Sequence, residues 1–198
     1  MTTITFVTDN SDKLERAQRL TQDHAINIQQ HRLELPETQH IDVSTVSQQK
    51  AAYAREHVEP PFFVSDTGYL IDALDGFPGA LLKPVLRTLG TERLCRLVTD
   101  QDDRTADFLS VLTYVDEHGT IKTFECHDTG RIAPEPRGEK RIGWGGVMKI
   151  HIPDGYSRTI ASMTEDTFME YETSIRKEEQ YVKLAEWIEE SQEGVNSS

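Results

Sequence analysis

Two strand-like runs flank an acidic turn in the middle of the sequence. Leu109 to Val115 and Thr120 to Cys126 are rich in β-branched and aromatic residues, and Asp116 to Gly119 separates them, with glycine at the end of the turn. This pattern is typical of a β-hairpin, in which the two strands pair antiparallel. Because the rest of the chain alternates strand-like and helix-like segments, the sequence predicts an α/β protein with a mixed rather than a purely parallel sheet.

A strand, a polar loop and a helix open the chain. Ile4 to Val7 form an apolar, strand-like run, and Thr8 to Ser11 follow as a polar loop. Asn10 or Ser11 is a suitable N-cap for a helix, whose apolar residues recur at helical spacing: Leu14, Ala17 and Leu20. The loop therefore lies at the amino end of a helix, where backbone N–H groups favour anions.

A second polar segment follows an apolar strand. A helix is predicted from about Ser44 to Val58, where Pro60-Pro61 enforces its end. Phe62 to Val64 then form a short apolar run that predicts a buried strand, and Ser65 to Gly68 follow at its carboxyl end. In α/β proteins this end of a strand commonly carries ligand-binding groups.

The carboxyl-terminal half contains further helical and strand patterns. Ala80 to Val98 predicts two helical pieces, because a proline and a glycine interrupt it, and Val147 to Ile152 is strand-like. A last helix is predicted from about Ser174 to Glu190. We expect residues 1–190 to form a single domain and residues 191–198 a flexible acidic tail.

The composition is strongly acidic. There are 34 Asp and Glu against 21 Lys and Arg, which gives a formal net charge of -13. Proteins that bind nucleic-acid polymers normally present positive charge to the phosphates, so we expect no such partner. No stretch approaches the roughly 20 apolar residues of a membrane helix, and the amino terminus lacks the pattern of a secretory signal. We therefore expect a soluble cytoplasmic protein with Cys95 and Cys126 as buried free thiols.

Three groups of residues are candidates for chemistry. The loop from Thr8 to Lys13 offers backbone donors and an ammonium group that suit a polyphosphate, although an ordinary capped loop has the same composition. Glu37 and Asp66 are oxygen ligands of the kind that Mg²⁺ prefers, although so acidic a chain contains many carboxylate pairs. Trp144, among glycines, is typical of a packing anchor, and Arg176 either reads a hydrogen-bond acceptor or caps a carboxylate.

A series of short segments resembles, in order and spacing, the Ham1 family of inosine triphosphate pyrophosphatases. These enzymes remove non-standard purine nucleotides. The resemblance runs from about Ile4 to Trp187, nearly the whole chain. In chain order the segments are TDNSDK, LPE, QQKAAYA, FFVSDTGYLIDALDGFPG, TGRI, RG, GW, IPDGY and SIR.

The resemblance implies a fold, an activity and an assembly. The fold is an elongated mixed β-sheet flanked by helices, with two lobes and a nucleotide cleft between them. The activity is hydrolysis of a nucleoside triphosphate to the monophosphate and pyrophosphate, with Mg²⁺ as the cofactor. The implied assembly is a homodimer, and the implied partner is a single nucleotide rather than a nucleic acid or a membrane.

The resemblance also assigns roles to individual positions. Lys13 and Asp66 are the implied catalytic residues, and Glu37 and Asp66 are the implied metal ligands. Asp66 either holds the metal or accepts a proton from the attacking water. The implied substrate-binding residues are Thr8, Asn10, Lys13, Lys50, Thr67, Lys83, Trp144 and Arg176.

Several positions depart from the family pattern. Ser65 stands where a second acidic residue is usual, so we expect weaker metal binding. Four positions linked to base recognition also differ: Ile142, Gly145, Ile175 and Glu170 replace phenylalanine, aspartate, histidine and lysine. Because polar contacts to the base decide specificity, we expect a preferred base other than hypoxanthine or xanthine.

Two other interpretations stay open. The missing carboxylate and the altered base positions also suit a catalytically weak paralogue that binds nucleotide in a regulatory or partner-subunit role. A pyrophosphatase acting on a modified or pyrimidine nucleotide is the other alternative. Retention of Lys13, Glu37, Lys50 and Asp66 favours an enzyme, because binding alone does not require a water-activating aspartate.

Overall fold

The computed structural model describes residues 2–139 and 146–196. Across these residues the chain forms a mixed seven-stranded sheet flanked by helices, which confirms the predicted fold class. The strands are β1 (Thr2–Val7), β2 (Ile26–His31), β3 (Phe62–Ile71), β4 (Pro78–Gly79), β5 (Thr105–Val115), β6 (Ile121–Ile132) and β7 (His151–Pro153). The helices are α1 (Ser11–Leu20), α2 (Val43–Ala54), α3 (Leu82–Thr88), α4 (Gly90–Arg96), α5 (Glu165–Ile175) and α6 (Gln180–Asn196).

The sheet combines a parallel and an antiparallel half. Its strand order is β2-β1-β3-β5-β6-β7, with β4 paired to β3 outside this path. β1 runs parallel to β2 and β3, whereas β3, β5, β6 and β7 pair antiparallel in turn. The predicted hairpin is confirmed: β5 and β6 pair along their length, and Gly119 N donates to Asp116 O at the turn.

The sheet has a step where β1 ends. β1 pairs with β3 only as far as Phe63, while β3 continues to Ile71 along β5. β4 rejoins β3 at Tyr69 and Leu70. Among the described residues, the intervening edge of β3 at residues 64–68 is therefore not covered by a strand. The polar segment predicted to follow the strand lies inside it, because its backbone continues to pair with β5.

The helices at the start of the chain form where the sequence patterns predict them, although α2 ends at Ala54 rather than at about Val58, and the helices at the end of the chain differ. Asn10 caps α1, Asp42 caps α2, and the helical stretch after residue 80 divides into α3 and α4 as predicted. The predicted start of the last helix at Ser174 is wrong. Thr164 caps a separate helix, α5, and a 3₁₀ turn at Arg176–Glu178 separates it from α6. α6 then continues to Asn196, beyond the expected start of a tail.

Apolar clusters lie towards both ends of the long strands. One packs α1 and α6 against β1 and β3 through the aromatic residues Phe6, Phe63 and Tyr181. Another packs α3 and α4 against β3, β5 and the segment before β7. Both cysteines are buried free thiols, as predicted, and burial raises the pKa of Cys95 to about 11. Within residues 2–139 and 146–196 no helix has the length and apolar character needed to cross a bilayer.

Candidate nucleotide site

The polar loop after β1 is organised by its own side chains. Asn10 Oδ1 accepts a hydrogen bond from Lys13 N at 3.0 Å and so satisfies a free amide at the amino end of α1. Asn10 N donates to the largely buried Thr8 Oγ1 at 3.1 Å. These bonds fix the loop at the point where β1 stops, with the remaining N–H groups of the first helical turn beside it.

Lys13 reaches from this loop to the uncovered edge of β3. Its Nζ donates to the backbone oxygen of Ser65 at 3.0 Å. Burial lowers the pKa of Lys13 to about 8, with Asp66 opposing that shift and the positive charges of Lys50 and Lys83 adding to it. Lys13 therefore lies within electrostatic range of two further lysines, from separate segments, and of the Asp66 carboxylate. Lys13, Lys50, Lys83 and Asp66 are called the lysine cluster below.

Asp66 has well-defined partners inside this cluster. Its Oδ2 accepts from Lys50 Nζ at 2.9 Å, and its Oδ1 accepts from Thr67 N at 3.0 Å. The Asp66 and Lys50 side chains are only 15% and 16% exposed, so water screens their attraction less than at an open surface. The absence of a side chain at Gly68 lets α2, which carries Lys50, lie close to β3, because a Cβ at residue 68 would meet Val43 Cγ2 at 2.4 Å.

Glu37 lies at the exposed rim of the cluster. Its Oε1 is 3.7 Å from Lys83 Nζ, and both side chains are open to solvent. The segment that carries Glu37 is anchored nearby, where Ala80 N donates to Ile41 O at 2.8 Å. Glu37 and Asp66, which are far apart in sequence, therefore each contact a lysine of the same cluster.

These carboxylates fit a magnesium ion bound together with a substrate. Mg²⁺ is commonly held by one or two carboxylates plus substrate phosphates and waters, not by an all-protein cage. Among the described residues, no group of three or more His, Cys, Asp or Glu side chains could hold a metal. Glu37 and Asp66 beside three lysines match the two-carboxylate mode, in which phosphates complete the ligand set.

Of the candidate residues that the structure describes, Arg176 lies elsewhere. Arg176 is at the far end of α1, where Nη2 donates to Asp23 Oδ2 at 3.0 Å and approaches Leu20 O at 3.4 Å. It thus lies about one length of α1, roughly 15 Å, from the loop at Asn10. Trp144, like Ile142 and Gly145, lies outside the described residues. The structure brings together Thr8, Asn10, Lys13, Glu37, Lys50, Asp66, Thr67 and Lys83.

The last helix, α6, contacts this site in a way that the sequence does not predict. Tyr181, at the start of α6, packs on Phe6 and Phe63 and donates from its hydroxyl to Ser65 Oγ at 3.4 Å. Ser65 thereby contacts Tyr181 through its side chain and Lys13 through its backbone oxygen. No local motif indicates either contact, since one involves a backbone atom and the other joins residues 116 positions apart.

The mixed sheet places this chain in the α/β class, and the helix amino terminus and the clustered lysines at its step make a candidate anion site. This chain belongs to the Ham1 family, whose model matches residues 4–178.

Curated relatives match most of the chain. A protein of Thermococcus kodakarensis named dITP/XTP pyrophosphatase is 34% identical over 163 residues, covering 82% of this chain and 86% of the relative. A Trypanosoma cruzi protein named inosine triphosphate pyrophosphatase 2 is 34% identical over 164 residues, and the match covers 82% of each of the two chains.

Solved structures share the fold. A HAM1 protein from Coxiella burnetii superposes with a TM-score of 0.77 at 22% identity, covering 96% of this chain and all of the other. A nucleoside-triphosphatase, dITP/XTP pyrophosphatase, from Mycobacterium abscessus gives a TM-score of 0.72 at 24% identity, covering 88% and 95%. At these identities the likeness concerns the fold alone.

Proposed function

We propose that this protein is a nucleoside triphosphate pyrophosphatase that converts its substrate and water to the nucleoside monophosphate and pyrophosphate. The lysine cluster at the uncovered edge of β3 is the observation that carries this proposal. A triphosphate carries about four negative charges, and a protein of net charge -13 needs local cations to hold it. The names of the relatives, dITP/XTP and inosine triphosphate pyrophosphatase, support the same reaction.

The phosphates are bound by the loop after β1 and by the lysines. Thr8 and Asn10 shape the loop, and Lys13, Lys50 and Lys83 supply positive charge from three directions. Asp66 positions the attacking water and accepts its proton, while Lys50 and Thr67 N hold the carboxylate in place. Phosphoryl transfer depends chiefly on such positioning and on charge stabilisation.

Magnesium is the proposed cofactor. Glu37 and Asp66 would hold it, with phosphate oxygens and water completing the ligand set. When bound, the ion neutralises phosphate charge and so assists departure of pyrophosphate. Ser65 offers a hydroxyl where the family usually has a second carboxylate, and this supports weaker binding of the metal.

Base preference, assembly and location complete the proposal. The departures at residues 142, 145, 170 and 175 support a preferred base other than hypoxanthine or xanthine. The resemblance to the family supports a homodimer, and two buried free thiols suit the reducing conditions of a cytoplasmic location. Thr67, Trp144 and Arg176 are proposed substrate contacts on the same resemblance.

The test is pyrophosphate release over a panel of standard, deaminated and modified nucleoside triphosphates. It is run with Mg²⁺ and with excess chelator. We expect release that needs the metal and varies strongly with the base. The missing carboxylate at Ser65 favours one alternative, a nucleotide-binding paralogue without turnover. Binding of nucleotides without release of pyrophosphate from any of them would establish that alternative and overturn the proposed enzyme.

A further inference from the structure

The face of α2 that covers the sheet carries a row of polar side chains. They recur every three residues along the helix, so they lie on one side of it. Each makes a hydrogen bond to a different strand, and the three strands are neighbours in the sheet. The pairs are Ser44 with Glu125 on β6, Ser47 with Thr113 on β5, and Lys50 with Asp66 on β3. The last pair belongs to the lysine cluster.

The middle pair of this row is enclosed by apolar side chains. Ser47 Oγ and Thr113 Oγ1 lie 2.8 Å apart, one hydroxyl donating to the other, and both residues are 0% exposed. Alternate residues of a strand face the same way, and those that flank Thr113 on β5 are Val111 and Val115, which are both buried. On α2, Ala51, about one turn after Ser47, is buried too. A hydroxyl pair therefore interrupts the apolar packing of α2 on β5.

A buried hydroxyl pair supplies direction more than stability. A buried hydrogen bond contributes little net free energy, and replacing both of its partners by apolar groups of the same shape can be nearly neutral. Apolar contacts are non-directional, so by themselves they allow a helix to roll slightly on a sheet. A hydrogen bond between two short side chains limits that motion, because its two oxygens must stay within about 3 Å of each other. The pair is therefore suited to set the rotation of α2.

The position of Lys50 depends on that rotation. Lys50 follows Ser47 by three residues, about one helical turn, and its Nζ lies 2.9 Å from Asp66 Oδ2. Ser44, one turn before Ser47, has a weaker hold on the sheet, because the side chain of its partner Glu125 is 41% exposed. The buried pair at Ser47 is thus the firmer of the two contacts that place the helix beside Lys50.

We propose that Ser47 and Thr113 are positioning residues, whose hydrogen bond fixes the rotation of α2 on β5 and thereby holds Lys50 against Asp66 in the orientation that the attacking water requires. This inference rests on the proposed function, in which Asp66 positions that water. Both hydroxyl residues are fully buried, so they act through Lys50 and not on the substrate itself. Displacing a positioned group by about 1 Å can lower a rate by about 100-fold.

The experiment separates the hydroxyl of Thr113 from its methyl group, with the triphosphate that the wild-type protein hydrolyses fastest. Thr113→Val keeps the shape and removes the hydroxyl, and it is expected to lower kcat about tenfold with KM within about twofold of the wild-type value. Thr113→Ser keeps the hydroxyl and should retain at least about half of the wild-type kcat. Thr159→Val removes another buried hydroxyl, which donates to Arg137 O at 3.0 Å; it is the matched control and should leave kcat unchanged.

Ser47→Ala tests the same hydrogen bond from the side of the helix. It should lower kcat by the same factor, about tenfold, and the double variant with Thr113→Val should be no slower than either single variant, because the two hydroxyls act as one unit. Alanine favours a helix, so this variant also replaces Thr113→Val if the latter does not fold. Losses that multiply in the double variant would contradict a shared role.

The outcomes separate this inference from the proposed function. A wild-type kcat in Thr113→Val, or an equal loss in Thr113→Ser, overturns the positioning role, and an equal loss is what packing alone predicts. Crystal structures of the two variants give a readout that does not need turnover. The contact between Lys50 Nζ and Asp66 Oδ2 is expected to persist in Thr113→Ser and to be lost in Thr113→Val, and its persistence in both overturns the inference. If the wild-type protein hydrolyses no triphosphate, the proposed function fails, while these structures still decide whether the hydroxyl pair holds Lys50.

Discussion

At the scale of single residues, the site depends on one carboxylate held between a lysine and a backbone amide. Asp66 contacts Lys50 at 2.9 Å and Thr67 N at 3.0 Å, so its orientation is fixed before any substrate arrives. Such prior positioning lowers the reorganisation needed in the transition state. The carboxylate can then serve the metal, the water or both, and its charge is needed in each role.

Asp66→Asn is expected to abolish pyrophosphate release, by at least about 100-fold. The amide keeps the size of the side chain and its place in β3 but removes the negative charge. Circular dichroism should show an unchanged fold. Asp100→Asn, at an exposed position in the turn after α4, is the matched control and should retain full activity. Undiminished turnover by Asp66→Asn would contradict the catalytic role proposed for Asp66.

Lys13 is expected to limit activity at alkaline pH. Burial lowers its pKa to about 8, so the free enzyme carries the phosphate-binding cation below that pH and loses it above. The value of kcat/KM should therefore fall above pH 8 by about tenfold per pH unit, since this parameter reports ionisations of the free enzyme.

The matched variant for this pH profile is Lys13→Arg, because a guanidinium stays charged across the whole range. Its activity should be lower, since the geometry differs, but its alkaline limb should move to higher pH. If the alkaline limb of the pH profile is the same in Lys13→Arg as in the wild-type protein, the ionisation belongs to a group other than Lys13.

The role of a single residue in the site could be predicted from the sequence where its side chain makes the contact, but not where a backbone atom makes it. The loop after β1 and the carboxylates Glu37 and Asp66 were recognisable from motif order, and the structure brings them around one cluster. The acceptor for Lys13 is a backbone oxygen of Ser65, which no residue type reveals. The pairing of Arg16 with Glu179 joins residues 163 positions apart and follows only from the packing of α1 on the last part of the chain.

At the scale of elements, local signals predicted the hairpin and the capped helices well. Gly119 in the turn and Asn10 at the N-cap act on residues next to them in the sequence, so the turn and the helix start that they determine can be predicted from the sequence. The end of the chain was harder, because residues 165–190 are helix-forming almost throughout. At the break, Arg176–Glu178, the chain makes a tertiary contact that the local sequence does not reveal, from Arg176 to Asp23 beyond α1.

The element-scale prediction concerns Gly79 in β4. Its φ of +54° is unfavourable for other residues, and a Cβ there would lie 2.0 Å from Ile41 O. Gly79→Ala should therefore displace the segment that carries Glu37. We expect a loss of at least about 2 kcal/mol in the free energy of unfolding, measured by urea denaturation, and a higher Mg²⁺ concentration for half-maximal activity.

Gly90→Ala is the control that separates the cost of a positive φ from the cost of the steric clash at residue 79. Gly90 also has a positive φ, of +75°, but a Cβ at this residue would have no neighbouring atom within 4 Å. The substitution should cost only about 1 kcal/mol and leave the magnesium dependence unchanged. Equal losses for the two variants would contradict a specific contact between Gly79 and Ile41.

At the scale of the whole molecule, charge is distributed unevenly. The net charge of -13 predicts a surface that repels polyanions. Yet Lys13 and Lys50 are both partly buried, and both lie at the step in the sheet beside Asp66. Interactions over a few ångströms in a partly buried site outweigh a screened surface charge. The composition therefore leads us to expect no nucleic-acid polymer as partner, but it could not indicate the single nucleotide proposed as substrate.

The identity of the products tests the central claim most directly. The purified protein is incubated with Mg²⁺ and each nucleoside triphosphate, and the products are separated and quantified by ion-exchange chromatography and phosphorus NMR. We predict equimolar nucleoside monophosphate and pyrophosphate, formed by the wild-type protein and not by Asp66→Asn. Formation of nucleoside diphosphate and inorganic phosphate, or no product from any triphosphate, would contradict the account.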